Sequence, residues 1–379
     1  HVLRNPEYAH VLRRIAFEGS RALHEGPVAE AIVARTAQPP RPGSLNLQDL
    51  KNYQAREREA LCFVHTARAR AYRLCGFPPP SSGILAIGQV LGMLEHATAQ
   101  GPELDKGLPS ADWLHRYLEA SRLAFADRAL YLADPDFVPA PGGDWRSLLA
   151  PTYLQTRSQL IGTQAMRLAP AGLPAGQPRA WAPMPAQTEY GTSHISVVDA
   201  LGRAVAMTTT IEAGFGSRRM VSTDASRPGG FLLNNQLTDF SFVPADAQGR
   251  PIANRVEPGK RPRSSMSPTL VFDKTSGQLL MSGGSPGGAL IIHYTAKTLY
   301  GMLNWGMNAQ QAINLPNFGA TGAPTIVLFS KASDPALSAP RGHVAVLQAD
   351  NLAELPVDSV AQAAAILATL TIRRRVMVA

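Results

Sequence analysis

Thr192 and Thr210 bracket the stretch in which this sequence concentrates its hydroxyl groups. In Gly191-Thr192-Ser193-His194-Ile195-Ser196-Val197-Val198 and Ala204-Val205-Ala206-Met207-Thr208-Thr209-Thr210, two alternating runs flank the turn-forming Asp199-Ala200-Leu201-Gly202-Arg203. That is the pattern of a β-hairpin. The midpoint of Thr192 and Thr210 falls at Leu201, inside the turn, so the two threonines are expected opposite each other with one hydroxyl in reach of the other. Threonine is also common in strands for steric reasons alone, so the pair by itself fits an ordinary sheet as well.

Three further segments carry polar groups at element ends. Asn234-Asn235-Gln236-Leu237-Thr238-Asp239 places amides and a carboxylate just past a strand, and Lys260-Arg261-Pro262-Arg263-Ser264-Ser265-Met266-Ser267-Pro268 is a hydroxyl-rich turn ahead of another. Gly283-Gly284-Ser285-Pro286-Gly287-Gly288 joins a strand to a helix, where glycines free backbone N–H groups to face a negative group. The last segment also fits Gly-x-Ser-x-Gly, the nucleophile elbow, in which the residue after the serine donates its N–H to the oxyanion. Here that residue is Pro286, which has no N–H. Ser285 is therefore rejected as a nucleophile, and the loop is read as an oxyanion or anion cradle. Each segment also fits ordinary turn chemistry. No His-Glu-x-x-His, phosphate-binding or dinucleotide-binding glycine motif occurs.

The elements that must position these groups follow from cap and period signals. Asn5 before Pro6 starts a helix whose apolar positions are Tyr8, Val11, Leu12, Ile15 and Ala16. Gly26-Pro27 is expected to end it and start a second helix to about residue 34. A proline-rich loop at 39–42 and a short turn at 46–53 lead to a hairpin with runs 60–66 and 71–77, centred between Arg68 and Ala69. In that hairpin Cys62 and Cys75 face each other. A cross-strand bridge is open, but two small buried hydrophobes are the expected case. Pro78-Pro79-Pro80-Ser81-Ser82-Gly83 launches a helix to about residue 94, Ser110 caps a long helix carrying Trp113, Tyr117, Leu118, Ser121, Leu123 and Phe125, and 145–161 suggests one more. Residues 162–190, rich in Ala, Pro, Gly and Gln, read as a linker. Strands are expected at 194–198, 204–211, 231–234, 269–272 and 278–282, with a helix at 288–303; beyond residue 319 only a strand and a helix at 356–370 are assigned. Helices outside an antiparallel sheet pair would satisfy this order.

Composition narrows the function classes. Of 379 residues, 45% are hydrophobic and 17% charged, which excludes disorder as the main theme. No stretch approaches the roughly 20 apolar residues of a membrane helix. The net charge of +8 invites a nucleic-acid reading, but the basic residues are scattered and only 7% of residues are aromatic. Two cysteines rule out a disulfide scaffold and a four-cysteine zinc site. The chain begins at His1 without Met or a charged apolar leader, as expected of a fragment or of a chain whose leader was removed.

Taken together, the segments from about residue 5 to about residue 319 resemble the γ-glutamyltransferase (γ-glutamyltranspeptidase, glutathione hydrolase) family of N-terminal nucleophile hydrolases. The resemblance runs in order through the Pro78 loop, 117–126 with Ala133-Asp134-Pro135-Asp136-Phe137, 192–199, 232–240, 260–268 and 285–288. It implies an α+β, four-layer αββα sandwich, with 1–191 the C-terminal part of a large-subunit region and 192–379 the small-subunit region, both in one structural domain. It further implies self-cleavage of the Gly191-Thr192 bond, which makes Thr192 the nucleophile, its freed α-amine serving as base. Thr210 would orient the nucleophile, Gly287 and Gly288 would form the oxyanion hole, Gln236 and Asp239 would hold the substrate's α-amino group, and Ser264 and Ser265 its α-carboxylate. The implied partner is a small γ-glutamyl or related acyl amide, with no metal, cofactor, nucleic acid or membrane; a homodimer and a periplasmic or secreted location belong to the same expectation.

Three departures stand out against the family pattern. Glu212 stands where better-known members carry Asn, and a carboxylate there suits a substrate amino group. The segment 241–259 is shorter than the usual lid and has no tyrosine. The part before Thr192 is much shorter than a complete large subunit, and the arginine that clamps the substrate carboxylate lies in the missing portion. Alternative readings are an acylase of the same mechanism acting on cephalosporin-type or glutaryl amides, and a catalytically incomplete relic.

Overall fold

The computed structural model describes residues 2–166, 168–174, 181–189, 191–321, 325–330 and 344–347. The helix expected at 356–370 lies outside them. In chain order the elements are α1 (Pro6–Glu18), α2 (Arg21–His24), α3 (Gly26–Thr36), α4 (Leu47–Asn52), β1 (Leu61–Ala67), β2 (Arg70–Gly76), α5 (Gly83–His96), β3 (Leu104–Asp105), β4 (Leu108–Pro109), α6 (Ala111–Tyr131), α7 (Pro151–Ser158), β5 (Ser193–Val198), β6 (Ala204–Thr209), β7 (Met220–Val221), β8 (Phe231–Leu232), β9 (Thr269–Asp273), β10 (Leu279–Gly283), α8 (Ile291–Leu303), α9 (Ala309–Asn314), β11 (Phe318–Ala320), β12 (Thr325–Ser330) and β13 (Val344–Leu347). Helix and sheet are mixed, and the chain divides into two compact units.

The smaller unit comprises His1–Arg58, Tyr190–Thr192 and Thr210–Leu237. Asn5 caps α1 by accepting from Tyr8 N–H, and its amide also exchanges hydrogen bonds of 2.8 and 2.9 Å with the backbone of Gly230. The helical period overstates the buried face of α1. Val11 is buried, but Tyr8 and Leu12 are 43% and 46% exposed. Glu7 takes an inward place instead, because its carboxylate accepts from Thr223 N–H, Thr223 Oγ1 and Arg227 Nε. The helix stops at Glu18, earlier than the Gly26-Pro27 signal, because Gly19 adopts a left-handed φ of 66°. The 46–53 turn is a short helix, closed by a capping box between Asn46 and Asp49.

The larger unit comprises Glu59–Glu189, Ser193–Thr209 and Thr238–Ala379. Its main sheet has the order β1-β2-β9-β10, all antiparallel. The β1–β2 hairpin turns at Arg68 and Ala69, as its symmetry predicts, both with left-handed φ. The β5–β6 hairpin lies beside β10, where Ser282 Oγ donates to Ser196 Oγ at 3.1 Å. Helix α5 is buried almost all round, as its apolar run requires, and packs with α6 and α8. Trp113 and Tyr117 of α6 stack at 4.9 Å and meet Phe318 edge-on, which closes the core at that end. The 145–161 stretch is broken into a 3-10 turn and α7, because Pro151 cannot continue a helix from before it.

Cys62 and Cys75 are paired in register and joined as a disulfide. This corrects the expectation of two unbridged buried thiols. Their placement followed from hairpin symmetry, but oxidation state is not encoded in spacing. The bridge spans a sequence separation of 13 residues, for which loop-closure entropy suggests a stabilisation of about 3 kcal/mol. Denaturant unfolding with and without reductant should show a loss of that order or smaller, mapped to the larger unit. Equal midpoints, with both thiols titratable after reduction, would show that the hairpin already supplies the constraint.

Candidate functional site

The sequence-expected site residues fall into two groups, one in each unit, each with its own geometry. In the smaller unit Thr192 and Thr210 are brought together at Gly191. The Gly191 carbonyl accepts from both hydroxyls, Thr192 Oγ1 and Thr210 Oγ1, each at 2.6 Å. Gly191 N–H donates to the Glu212 carbonyl at 2.7 Å, and Glu212 N–H donates to Thr210 Oγ1 at 2.8 Å. Thr210 Oγ1 is thus a relay that accepts from one backbone group and donates to another. Two donors on one carbonyl draw electron density from its carbon, and a threonine oxygen stands next in the chain.

Glu212 is only 4% exposed and has a left-handed φ of 71°. Its carboxylate accepts from Asn235 Nδ2, while Asn235 Oδ1 accepts from Ala213 N–H at 2.9 Å. The residue proposed to meet a substrate amine therefore also pins the turn that carries Thr210. Gln236 opens a 3-10 turn, Gln236–Asp239, and its N–H donates to Asn234 Oδ1 at 3.0 Å.

In the larger unit Ser264 and Ser265 lie alongside the Pro78 loop. Ser264 N–H donates to the Pro80 carbonyl, and the Ser264 carbonyl accepts from both Ser82 N–H and Ser82 Oγ. Ser265 Oγ donates to the Glu189 carboxylate and accepts from Arg128 Nη2, both at 2.5 Å. Arg128 Nε donates to Ser82 Oγ at 2.8 Å, and its Nη2 reaches Glu189 at 2.9 Å. Arg263 lies 3.8 Å from the same carboxylate. Burial alone would raise the Glu189 pKa, but the two arginines and the Ser265 hydroxyl outweigh it and hold the carboxyl below its usual range. Burial, and next the charge of Arg128, pull Arg263 down to about 9, against the opposing pull of Glu189 and Asp239. Asp239 is fixed through Asn254, which donates to its carbonyl at 2.8 Å and accepts from Arg263 N–H at 2.9 Å.

Gly287 and Gly288 both have left-handed φ, 136° and 56°. A side chain on Gly287 would meet the Tyr294 ring at 2.8 Å. The pair leads directly into α8, as the cradle reading requires. Ser285 Oγ turns to the Pro286 carbonyl at 2.8 Å.

Sequence reading missed Arg128, Arg263, Glu189 and Asn235. A signal existed for Arg128: α6 carries Arg116, Glu119, Arg122, Asp127 and Arg128, all buried, so its charges cannot all belong to a solvated face. Among the described residues no group of acidic, histidine or cysteine side chains could hold a metal ion, and no helix is long and apolar enough to cross a membrane.

Against known proteins, residues 1–354 match the family model described as Gamma-glutamyltranspeptidase. Glutathione hydrolase proenzyme of Escherichia coli (strain K12) is 33% identical over 328 residues, 86% of this chain and 52% of that protein. Acylase ACY 1 proenzyme of Pseudomonas sp. (strain V22) is 31% identical over 317 residues, 83% of this chain and 50% of that protein. The solved structure of LmbA2991HD gives a TM-score of 0.65 at 23% identity, covering 86% of this chain and 57% of that one, a likeness of fold alone. The chain spans about half the length of the curated relatives it matches.

Helix α8, which follows the glycine pair, offers a pH test of the larger unit. His293 is fully buried, its Nε2–H donates to the Ala320 carbonyl at 3.0 Å, and its ring meets Phe125. Burial, and next the charge of Arg128, pull its pKa down to about 3, against about 6.5 in an unfolded chain. Between those values the unfolded state binds a proton that the folded state does not. Stability must therefore fall as pH drops below about 6.5. His293→Gln should flatten the dependence of unfolding free energy on pH between 7 and 4.5 by up to one proton, and an unchanged slope would show that His293 titrates normally.

Proposed function

The chain belongs to the gamma-glutamyltranspeptidase family, and from that premise we propose that it cuts itself between Gly191 and Thr192 and then cleaves γ-glutamyl amides through a threonyl acyl-enzyme. The observation that carries the proposal is the double engagement of the Gly191 carbonyl by Thr192 Oγ1 and Thr210 Oγ1. In the first step Thr192 Oγ attacks the Gly191 carbonyl carbon, the C–N bond breaks, and the proton passes to the departing amine. Water then hydrolyses the resulting ester. The α-amine so released has an ordinary pKa of about 7.7 to 8.0, which suits it to accept the Thr192 hydroxyl proton in later turnovers.

In the second reaction Thr192 Oγ attacks the γ-carbonyl of a donor. Gly287 and Gly288 donate N–H groups to the oxyanion, Gln236 and Asp239 hold the α-amino group, and Ser264 and Ser265 the α-carboxylate. The leaving amine takes the proton, and the acyl group passes to water or to an amine acceptor. The αββα sandwich and the division into large and small subunits from one precursor belong to the same proposal. They are supported by helices α5 and α8 packed in the core beside an antiparallel sheet and by the proenzyme names of the relatives.

A second reading keeps the mechanism and changes the acyl group. The likeness to Acylase ACY 1 favours a donor other than a γ-glutamyl amide. Turnover of γ-glutamyl-anilide against glutaryl-amide substrates separates the two: a glutaryl preference assigns the chain to the acylase reading.

Thr192→Ala should leave a single band on a denaturing gel, where the wild-type chain gives two fragments. Thr210→Val, which keeps the volume and removes the hydroxyl, should slow fragment formation by about 100-fold. A wild-type chain that never yields fragments sinks self-processing. Fragments without covalent capture of a γ-glutamyl affinity label at Thr192 would mark a catalytically incomplete relic.

A further inference from the structure

The loop that leads from β10 toward α8 is seated between two rings of the larger unit. At its entry a side chain on Gly284 would collide with the His194 ring, and near its exit one on Gly287 would meet the ring of Tyr294. Gly287 also needs glycine for its left-handed φ, whereas Gly284 has no such φ, so the His194 ring alone accounts for the bare backbone there. The ring is fixed through both nitrogens. Nδ1 lies 2.8 Å from Thr208 Oγ1 across the β5–β6 pair, and Nε2 lies 3.0 Å from Ser196 Oγ. Ser282, two residues before Gly284, donates its hydroxyl to Ser196 Oγ at 3.1 Å. One imidazole and three hydroxyls thus tie the start of the loop to β5 and β6.

We propose that His194 is a positioning residue for the glycine loop, setting the direction in which Gly287 and Gly288 present their N–H groups to an oxyanion. This rests on the reading of that pair as the oxyanion donors. The hydroxyl chain assigns the ring its protonation state. A serine hydroxyl has one proton to give, so with Ser282 donating to Ser196, the Ser196 proton goes to an unprotonated Nε2, and Nδ1–H donates to Thr208 Oγ1. A doubly protonated ring would set a second donor against Ser196, and either the ring or the serine must then turn. The groups that face the ring are Ser196 from β5, Thr208 from β6 and Gly284 from the loop, with Ser282 of β10 behind Ser196. Of the residues in β5, β6, β10 and the loop, His194 alone has an acidic or basic side chain, and burial by itself lowers its pKa from the ordinary value. Tyr294, at the other end of the loop, stays a neutral phenol because burial pushes its pKa up. The neutral imidazole therefore holds the loop, and protonation loosens it.

The test follows the glycine amide resonances of the 15N-glycine-labelled wild-type chain by NMR as pH is lowered from neutrality, with the His194 ring read in parallel from its own shifts. The Gly284, Gly287 and Gly288 amides should move together with His194 in one step centred below about pH 6.5, and His194→Phe, which keeps a ring and removes both nitrogens, should abolish that step. In turnover of a γ-glutamyl-anilide, His194→Phe should lower kcat about ten-fold and leave KM within about two-fold. His194→Asn, whose side-chain N–H replaces Nδ1–H toward Thr208, should recover most of kcat and lose the acid limb of its pH profile, which a merely structural side chain would not move. Gly287 and Gly288 amides that ignore the His194 titration overturn the proposal, as does a kcat unchanged in His194→Phe. The wild-type titration decides the first point even where a variant fails to fold. A step shared by ring and loop in a chain that neither fragments nor turns over upholds His194 as the residue that sets the loop and removes the catalytic reading. Fragments and turnover with loop glycines indifferent to His194 do the reverse.

Discussion

A buried guanidinium cannot be left without partners, and Arg128 imposes that requirement on the larger unit. It projects from α6 beneath the Phe125 ring and finds its acceptors in three other places: Ser82 before α5, Ser265 before β9, and Glu189 at the end of the 181–189 segment. Removing one partner from such a group costs roughly 3 to 5 kcal/mol, more than any single surface contact supplies. The hydroxyl-rich turn and the proline loop are thus held by a charge as well as by their own backbone bonds. Lysine could not replace Arg128, because a point charge lacks the fork that serves a hydroxyl and a carboxylate at once.

In the smaller unit the corresponding constraint is backbone strain. Glu212 adopts a left-handed conformation with a full side chain, at a cost on the order of 1 to 3 kcal/mol. The strain persists because each polar group of the residue is used: its carbonyl accepts from Gly191, its N–H donates to Thr210, and its carboxylate accepts from Asn235. The bend so fixed turns the chain back on Gly191 and presents the Thr210 hydroxyl to the Gly191 carbonyl.

The parts of this arrangement that were legible in the sequence are those set by symmetry and local caps. Reflection about a turn placed Cys62 opposite Cys75 and set the register that pairs Ser193 with Thr209, because a tight hairpin leaves little freedom of register. Asn5, Ser110 and Gly83 marked helix starts through chemistry that acts within one turn. The parts that were not legible depend on distant partners. The exposure of Tyr8 and Leu12 reflects what else covers α1. The inward charges of α6 contradict the assumption that charge seeks water, and Glu189 meets Arg128 across sixty-one positions of chain. The disulfide lies between these cases, with its geometry given by register and its chemistry by environment.

On the proposed reading, the smaller unit's hydroxyls serve two reactions in turn without rearrangement of the chain that holds them. A threonine hydroxyl has one proton to donate, and in the uncut chain Thr210 commits it to the Gly191 carbonyl, the acyl group of the first reaction. Once Gly191 departs as a carboxylate, that proton has lost its acceptor. The other hydroxyl at that carbonyl is Thr192 Oγ, the nucleophile of the second reaction. Glu212 N–H donates to the lone pairs of Thr210 throughout, so rotation of one hydroxyl converts a group that polarises an acyl carbon into one that orients a nucleophile. The strained backbone at Glu212 is then required in both states, which accounts for a costly conformation at that residue.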